Sequence, residues 1–395
     1  MKPETPVLAD VRAVDVGYFS TKLTLGRQLE GSASTIAYMK PETPVVVDVR
    51  AVDVGYFSTK LTLGRQLVGN ASTIATALFP SLAPRLPASM TMQTALHGKP
   101  DGSVVDVDDV NYFVGRDAIL YSSGREPREV LADYSMTEKY HALMRGAFHY
   151  IAQDAKATSE LVIRHLVLGL PLNTFGENRD RLAARATGEH LLPDPTNPGA
   201  MRRITVERAS VIVQPQGALV SYGTTHREIF KEGWVLVVDP GGGTLDWYVA
   251  RGRLPNWQRS GAYPKCMLAC AYAVADRIDP TWRDNFEIIE RIDKAIRDKA
   301  PSFMTAGNTY ELAPYTSAIE AVLKESTDKM VARLGSLDNL DLILFTGGGA
   351  KVYFDFFKSR YPKLTNIMFM DDDPVFSNVK GFHVAGEIMS KSKTI

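Results

Sequence analysis

Residues 51–63 read AVDVGYFSTKLTL, and this stretch decides the fold. A β-branched segment runs to Asp53, a polar turn containing Gly55 follows, and an alternating segment begins at Lys60. The pattern predicts two strands joined by a tight turn. Because glycine lets the backbone approach a ligand closely, and successive N–H groups in such a turn form an anion-binding concavity, the turn is a candidate phosphate loop.

Two later glycine-rich loops also follow predicted strands and are further candidate phosphate or nucleotide loops. Residues 239–246 read DPGGGTLD between two predicted strands, and residues 345–350 read FTGGGA between a predicted strand and a predicted helix. The dipole of that helix adds to the attraction for an anion. A single glycine-rich turn is more often only a turn, but three of them in this order predict a nucleotide site.

Two familiar nucleotide-binding patterns are absent from the sequence. No GxxxxGK[ST] motif is present, which excludes a P-loop protein, and no GxGxxG motif follows the first strand, which argues against a dinucleotide fold. An aspartate at a strand end suits Mg²⁺, which is usually held through water because it dehydrates reluctantly. Lysine offers a point charge for phosphate oxygens.

Composition bounds the class of protein. A chain of 395 residues exceeds what one core usually supports, so two domains are expected. Lys+Arg and Asp+Glu balance at 45 each, which argues against a broad basic face for nucleic acid. The two cysteines, Cys266 and Cys270, share a predicted helix face as small buried residues, and so few cysteines suit a reducing cytoplasm. No apolar run reaches membrane-spanning length, and the start MKPETP has no signal-peptide pattern.

The hairpin sequence occurs twice in the chain. Residues 1–37 recur as residues 39–75, and residues 10–29 are identical to residues 48–67. The second copy is the better strand former, with Val46 and Val47 where the first has Leu and Ala. We also expect Val68, which replaces a glutamate of the first copy, to be buried.

One nucleotide site has room for one hairpin. The second copy continues directly into residues 76–80, and short connections between neighbouring elements are the rule. We therefore assign Asp53 and Lys60 to the site and treat Asp15 and Lys22 as spares. The first copy, residues 1–38, is interpreted as a gene-start duplication. The alternative is a strand donated to a neighbouring molecule or to an exposed sheet edge.

The remaining periodicities alternate between strand and helix, which indicates an α/β fold with mixed sheets covered by helices. Residues 79–86 are predicted as a proline-broken edge or loop. The predicted strands are 45–53, 60–66, 161–170, 204–213, 234–239, 247–250, 340–345 and 366–370. The predicted helices are 137–156, 180–189, 216–225, 264–278, 285–299, 313–334, 350–361 and 379–389.

With these loops in place, the chain resembles the actin superfamily over residues 39 to about 390. Residues 53–60 and 239–246 resemble its two phosphate loops, and residues 347–350 resemble its adenosine loop. Residues 213–218 (VQPQGA) and 380–386 (KGFHVAG) resemble its two connecting helices. LGLPLNTF at residues 168–175, PQGA and DPGGGTLDW make the ParM/StbA-like plasmid-segregation actins the best match.

The resemblance implies an actin-like, ribonuclease-H-like ATPase fold with a nucleotide cleft between two domains. The first domain is expected to hold residues 39–217 and 379–395, and the second residues 218–378. The implied ligand is ATP, or GTP, with Mg²⁺. Asp53 and Asp239 are then the Mg²⁺ carboxylates and catalytic residues.

Further roles follow from the resemblance alone. Gln216 lies where ParM-like proteins commonly carry Glu, and it is expected to orient the attacking water because Gln is no strong base. Either Asp293, Lys294 and Arg297 face the adenine, with Lys294 as a cofactor contact, or they form a solvated helix face. The other implied cofactor contacts are Gly55, Ser58, Thr59, Lys60, Gly241, Gly242, Gly243, Thr244, Gly347, Gly348, Gly349 and Ala350.

Family behaviour implies ATP-driven polymerisation into helical filaments that move plasmid copies apart. The implied partners are other copies of the chain and a DNA-bound adaptor at a plasmid centromere, with no direct nucleic-acid binding and no membrane. A small-molecule kinase of the same superfamily stays open, with Asp246 as its only candidate catalytic acid. A cytoskeletal or chaperone-like scaffold is the third alternative, since fold alone does not decide function.

Overall fold

The structure is a computed structural model. It describes residues 11–17, 20–25, 43–69, 71–87, 100–126, 128, 130–194, 197 and 199–392. Contacts divide the chain into two units, Met1–Pro44 and Val45–Ile395. In the described part of the first unit, β1 (Val11–Gly17) and β2 (Ser20–Leu25) form a two-stranded antiparallel sheet.

The second unit contains two larger mixed sheets. In the first sheet the strand order is β5-β4-β3-β8-β10-β9, and β11 also pairs with β8. Strand β3 is antiparallel to β4 and parallel to β8. The strands are β3 (Val45–Val54), β4 (Ser58–Val68), β5 (Ala71–Pro80), β8 (Glu160–Leu170), β9 (Gly188–Pro193), β10 (Met201–Val206) and β11 (Ala209–Val213).

The second sheet repeats this arrangement. Its order is β14-β13-β12-β18-β19, with β15 also paired to β13. Strand β12 is antiparallel to β13 and parallel to β18. The strands are β12 (Trp234–Pro240), β13 (Leu245–Arg251), β14 (Leu254–Pro255), β15 (Gly261–Tyr263), β18 (Leu342–Phe345) and β19 (Met368–Met370). Each sheet thus places a hairpin beside a parallel strand, and Asp53 and Asp239 lie near the end of the first strand of each hairpin, just before the turn.

Helices and two small hairpins complete the second unit. The hairpins are β6 (Ser103–Val107) with β7 (Val110–Val114), and β16 (Ser302–Thr305) with β17 (Asn308–Glu311). The helices are α1 (Glu138–Asp154), α2 (Leu172–Ala186), α3 (Gln214–Tyr222), α4 (Ile229–Glu232), α5 (Met267–Ile278), α6 (Phe286–Arg297), α7 (Thr316–Leu334), α8 (Ala350–Arg360) and α9 (Ser377–Lys391).

Strand β3 shows how the first core is built. Successive side chains of a strand point to opposite faces. Val52 and Val54 lie in the core beneath α1, whereas Ala51 lies in a separate cluster with Phe382 of α9. Both faces are therefore covered towards the end of β3, where residues 51–54 are all buried, whereas Val46 and Asp48 nearer its start are exposed.

The α/β class is confirmed, and the differences from the predicted elements are local. Residues 79–86 are predicted as a proline-broken edge or loop; residues 71–80 form β5, which lies at one edge of the first sheet and pairs along the whole length of β4. The strand predicted at 204–213 is two strands, β10 and β11, which pair with the two ends of β8. Helix α2 begins at Leu172, earlier than predicted, and β9, β16 and β17 carried no clear sequence signal.

Three further expectations can be compared with the structure. Val68 is 58% exposed, so the expectation that it is buried is wrong. Cys266 and Cys270 are both buried and free. The two sheets fall on either side of the predicted domain boundary at residues 217 and 218, but contacts treat Val45–Ile395 as one unit, so the two-domain division stays a prediction. Among the described helices, none combines the length and apolar character needed to cross a membrane.

Candidate functional site

A cavity of about 540 Å³ collects the ends of the two hairpins and the third glycine turn. This volume lies within the range of small-molecule and cofactor sites. The predicted residues that line the cavity are Asp53, Gly55, Ser58, Lys60, Asp239, Gly241, Gly242, Thr244, Asp246, Asp293, Arg297, Gly347, Gly348 and Gly349.

Asp53 lies near the end of β3 and is buried, with 2% of its surface exposed. Lys60, its cross-strand partner on β4, places Nζ 3.1 Å from Asp53 Oδ2. Gln214 Nε2 donates to Asp53 Oδ1 at 2.7 Å. Both carboxylate oxygens are therefore held, and the lysine keeps a cation at the cavity wall.

Asp239 occupies the equivalent place in the second hairpin. Asn378 Nδ2 donates to Asp239 Oδ2 at 2.7 Å. Burial, aided by the charge of Asp53, raises the pKa of Asp239 to about 6 against the lowering effects of the Asn378 hydrogen bond and of Lys60. The site thus holds two carboxylates whose mutual repulsion a bound cation would relieve.

The two amide side chains come from helices that cross at glycines. A Cβ at Gly381 of α9 would lie 1.7 Å from the carbonyl oxygen of Gly217 on α3, so the crossing requires glycine there. Gln214 begins α3, and Asn378 lies in the first turn of α9. The crossing therefore brings one amide to each aspartate.

Asp246 is a third buried carboxylate at the cavity. Thr244 Oγ1 donates to Asp246 Oδ2 at 2.5 Å, and the backbone N–H of Leu172 donates to Oδ1 at 3.2 Å. Burial, and then the charge of Asp239, raise the pKa of Asp246 to about 7. Its protonation therefore changes near neutral pH.

The two hairpin turns close in the same way. The N–H of Gly55 donates to the carbonyl of Ser58 at 3.1 Å, and the N–H of Gly241 donates to the carbonyl of Thr244 at 2.9 Å. Within the described structure, the next amides in each turn (residues 56 and 57, and residues 242 and 243) have no backbone acceptor. Such paired free amides are the donors that anion-binding turns present.

The third glycine turn approaches Asp239 closely. Gly347 has φ of 79°, and a Cβ there would lie 2.2 Å from Asp239 Oδ1. The N–H groups of Gly347 and Gly349 donate to the carbonyls of Pro374 and Pro240, so they are not free for a ligand. Gly348 lines the cavity and would have open space around a Cβ, so its backbone is uncovered on the cavity side.

Five predicted cofactor or catalytic residues do not line the cavity. Thr59 is buried and bonds Ser81, and a Cβ at Gly243 would meet the ring of Tyr56. Lys294 is exposed and pairs with Asp298. Gln216 and Ala350 are also absent from the lining, so their ligand roles stay predictions.

Sequence reasoning missed three polar residues of this region. Gln214 lies two positions before the predicted Gln216. Which of the two side chains reaches Asp53 depends on the direction in which each projects from α3, and the sequence does not indicate that direction. Asn378 follows Ser377 at the start of a predicted helix, a position that usually suggests a cap rather than a ligand. Arg128 is buried between the rings of Phe57 and Phe286, 4.0 and 3.8 Å from their centroids, and no sequence signal indicated this.

Comparisons with known proteins support the same architecture. Residues 51–217 match the family model described as the N-terminal domain of actin-like proteins. No curated protein matches the chain. The architecture is that of the actin-like fold, and the family model supports this over residues 51–217.

Solved structures show the same fold. The chain is similar to apo pSK41 ParM, with 18% identity, 89% of this chain and 100% of that chain covered, and a TM-score of 0.62. It is similar to a 15-stranded ParM filament from Clostridium botulinum, with 20% identity, 86% and 99% coverage and a TM-score of 0.64. The archaeal actin homologue Ta0583 in complex with ADP matches at 19% identity, 86% and 99% coverage and a TM-score of 0.60. The chain therefore has an actin-like fold, similar to that of ParM.

Proposed function

We propose that the chain binds a nucleoside triphosphate with Mg²⁺, hydrolyses it, and polymerises into filaments that segregate plasmid DNA. One observation carries the nucleotide part of this proposal. Asp53 and Asp239, each at the end of a hairpin strand and each held by an amide side chain, face one cavity rimmed by three glycine turns.

The chemistry of the cavity fits a polyphosphate. The amides of residues 56, 57 and 242 offer donors at the cavity, and Lys60 supplies a cation beside them. Gly347 and Gly348 leave the backbone open where a larger residue would fill the space or strike Asp239. A polyphosphate gains charge-assisted hydrogen bonds from such an arrangement.

The carboxylates also fit Mg²⁺ held through water. In the described part of the chain, no group of three or more acidic, His or Cys residues could hold a metal directly. Mg²⁺ characteristically uses one or two carboxylates together with substrate phosphates and its own waters, and it neutralises phosphate charge when bound. Asp53 and Asp239 would hold that hydrated ion.

Gln214 is the residue placed to orient an attacking water. Its side-chain amide donates to Asp53, which leaves the amide oxygen as an acceptor at the cavity wall. A glutamine orients water in other phosphohydrolases without acting as a strong base. We therefore transfer to Gln214 the role that the sequence suggested for Gln216.

Self-association is the part supported by the similar proteins, because one of them was solved as a filament. Nucleotide between the two sheets would bias their relative arrangement and thereby the contacts between subunits. A DNA-bound adaptor at a plasmid centromere and a cytoplasmic location complete the proposal.

The test combines light scattering with phosphate release after addition of Mg²⁺ and ATP or GTP. We expect nucleotide-dependent scattering together with phosphate release, and we expect Asp239→Ala to abolish the release. Asp372→Ala, an exposed aspartate in a turn, is the matched control and should behave as the unaltered protein. Intact turnover in Asp239→Ala, or no Mg²⁺-dependent affinity for either nucleotide, would refute the proposal.

A kinase is the second candidate, and Asp246 is the observation that favours it. Its pKa of about 7 suits a general base acting on a hydroxyl group at neutral pH. However, both of its oxygens already accept hydrogen bonds from the protein. Sugar-dependent ADP production without scattering would favour the kinase over the filament.

A further inference from the structure

Asp293 has one carboxylate oxygen that the protein leaves unused. It lies on α6, which begins after the capping residue Asn285, and only 1% of its surface is exposed. Arg297 Nε donates to Asp293 Oδ2 at 2.7 Å. Oδ1 is buried and has no hydrogen-bond partner among the described residues, and Asp293 lines the cavity.

An unpaired buried carboxylate oxygen is costly, so a partner is expected. Arg128 contributes a favourable charge, but no ion pair within 4.0 Å joins it to Asp293 in the described structure. Its guanidinium is instead held between two phenyl rings. Burial raises the pKa of Asp293 although both arginines lower it, which shows that the ionised group is incompletely compensated. We therefore expect the hydrogen-bond donor for Asp293 Oδ1 to come from a ligand in the cavity.

A series of contacts places Asp293 away from the phosphate loops. A Cβ at Gly347 would touch Asp239, and a Cβ at Gly349 would lie 2.7 Å from Met267 Cγ. Met267 begins α5, which packs against α6, the helix of Asp293. The cavity thus extends from the aspartate pair, past the third glycine turn, to Asp293. A nucleotide with its phosphates at the hairpin turns would carry its base to this end.

The two purines differ in what they offer to a carboxylate. Guanine presents N1–H and a 2-amino group side by side, whereas adenine presents its 6-amino group beside the N1 acceptor. A carboxylate oxygen accepts hydrogen bonds and donates none when ionised. Asp293 Oδ1 therefore complements guanine, and adenine would bring an acceptor towards the same negative oxygen.

We propose that this site selects guanine nucleotides, with Asp293 Oδ1 accepting N–H groups from the Watson–Crick edge of the base. The inference rests on the proposed nucleotide function and adds the identity of the base. Arg297 supports the arrangement, because it pairs with Oδ2, lines the cavity and offers a planar cation on which a base can stack. Asp293 is thus a specificity-determining residue.

The first experiment needs no variant. Dissociation constants are measured by calorimetry with Mg²⁺ for GDP, for IDP, which lacks the 2-amino group, and for ADP. We expect GDP to bind roughly 10–100-fold more tightly than ADP, the range for hydrogen bonds to a charged group, with IDP between them. Equal affinities for GDP and ADP would overturn the inference while leaving the nucleotide function intact. No binding of any of the three would remove the proposed function itself.

A variant then assigns the preference to Asp293. Asp293→Asn replaces one oxygen by a donor, so we expect it to lose the preference for GDP and to gain affinity for XDP, whose 2-oxo group accepts a hydrogen bond. Asp298→Asn is the matched control, because that carboxylate lies on the exposed end of the same helix and pairs with Lys294. The control should keep the GDP preference of the unaltered protein.

Two other results would count against a base contact. If 2′-deoxy-GDP binds weakly while GDP and ADP bind equally, Asp293 reads the ribose. If Asp293→Asn lowers the unfolding temperature but keeps the GDP-to-ADP ratio, its unused oxygen serves Arg128 instead. Because the ratio is measured within one protein, a loss of stability cannot imitate a loss of selectivity.

Discussion

The two copies of the hairpin share a sequence but not an environment. Strands β1 and β2 pair Asp15 with Lys22, and β3 and β4 pair Asp53 with Lys60 in the same register. Among the described residues, β1 and β2 form a sheet by themselves, whereas the second copy lies between β5 and β8. The local sequence is therefore sufficient to form the hairpin. The neighbouring strands β5 and β8 distinguish the copy whose aspartate lines the cavity.

Contacts from α9 illustrate what the second copy gains. His383 Nδ1 lies 2.9 Å from Thr62 Oγ1, and Arg65 makes two hydrogen bonds to the carboxylate of Glu387. Burial lowers the pKa of His383 to about 4, so its ring is neutral at physiological pH. These bonds fix β4 against a helix distant in sequence, and that helix also carries Asn378.

The residues that follow each copy explain why the second copy is the one that forms part of the first large sheet. The second copy continues into β5, which supplies the fully buried Phe79 opposite Thr59. The first copy continues into a new MKPETP start. Of the four positions at which the copies differ, Val47 is buried, while Val46 and Val68 are largely exposed. The later strand, more than the hairpin itself, thus favours the second copy.

The largest expected effect comes from altering the equivalent aspartates. Asp53→Asn removes the charge that faces the cavity, so we expect nucleotide turnover to fall about 1000-fold, as when a central electrostatic contact is lost. Asp15→Asn should leave turnover within about twofold, well under 0.5 kcal/mol in barrier. Steady-state phosphate release measures both. Loss of activity in Asp15→Asn alone would show that the first copy occupies the site.

Substitution of the equivalent leucines shows how much each copy contributes to the free energy of unfolding. Leu61 is fully buried beneath α1, so Leu61→Ala should lower the free energy of unfolding by about 2–5 kcal/mol. Leu23→Ala should change it by less than about 0.5 kcal/mol, because β1 and β2 form a sheet of only two strands and such a sheet contributes little by itself. Denaturant unfolding of both variants checks this. Equal losses would mean that both hairpins belong to the cooperative core.

A deletion can exchange the copies. Removing residues 38–75 joins Ala37 to Thr76, so that the first copy continues directly into residues 76–80, the second half of β5. We expect nucleotide binding to persist, with Asp15 and Lys22 at the cavity, and stability to fall by about 1–2 kcal/mol because Ala9 replaces the buried Val47. Calorimetry and thermal unfolding measure these. Loss of binding in a folded protein would show that the copies are not interchangeable.

The smallest expected effect concerns the surface ion pair with α9. Arg65→Ala should cost about 0.5–1 kcal/mol, since the pair is bidentate but partly exposed and screened by solvent. Arg253→Ala, at an exposed arginine for which the described structure shows no ion pair, is the control and should have no measurable effect. Thermal unfolding at low and high salt compares them. An effect of Arg65→Ala that does not weaken with salt would contradict an electrostatic origin.

Several features of the site were predictable because their signals are local. A glycine turn between a β-branched run and an alternating run specifies a hairpin with few alternatives, which identified the loops of Asp53 and Asp239. Their order along the chain also indicated the fold. The prediction that Val68 is buried is wrong, and the length of β5 was only partly predicted, because burial and the extent of a strand depend on contacts with other elements of the sheet.

The sequence by itself thus determined the hairpins, their aspartates and the actin-like order of the loops, because neighbouring residues encode turns and strands. Only the tertiary structure decided that Gln214 rather than Gln216 meets Asp53, and that Asp293 rather than Lys294 faces the cavity. Neighbouring helix positions differ in direction by about 100°, so packing against distant elements selects which of them reaches the site. The same packing, through β5, β8 and α9, selects one of two equivalent hairpins.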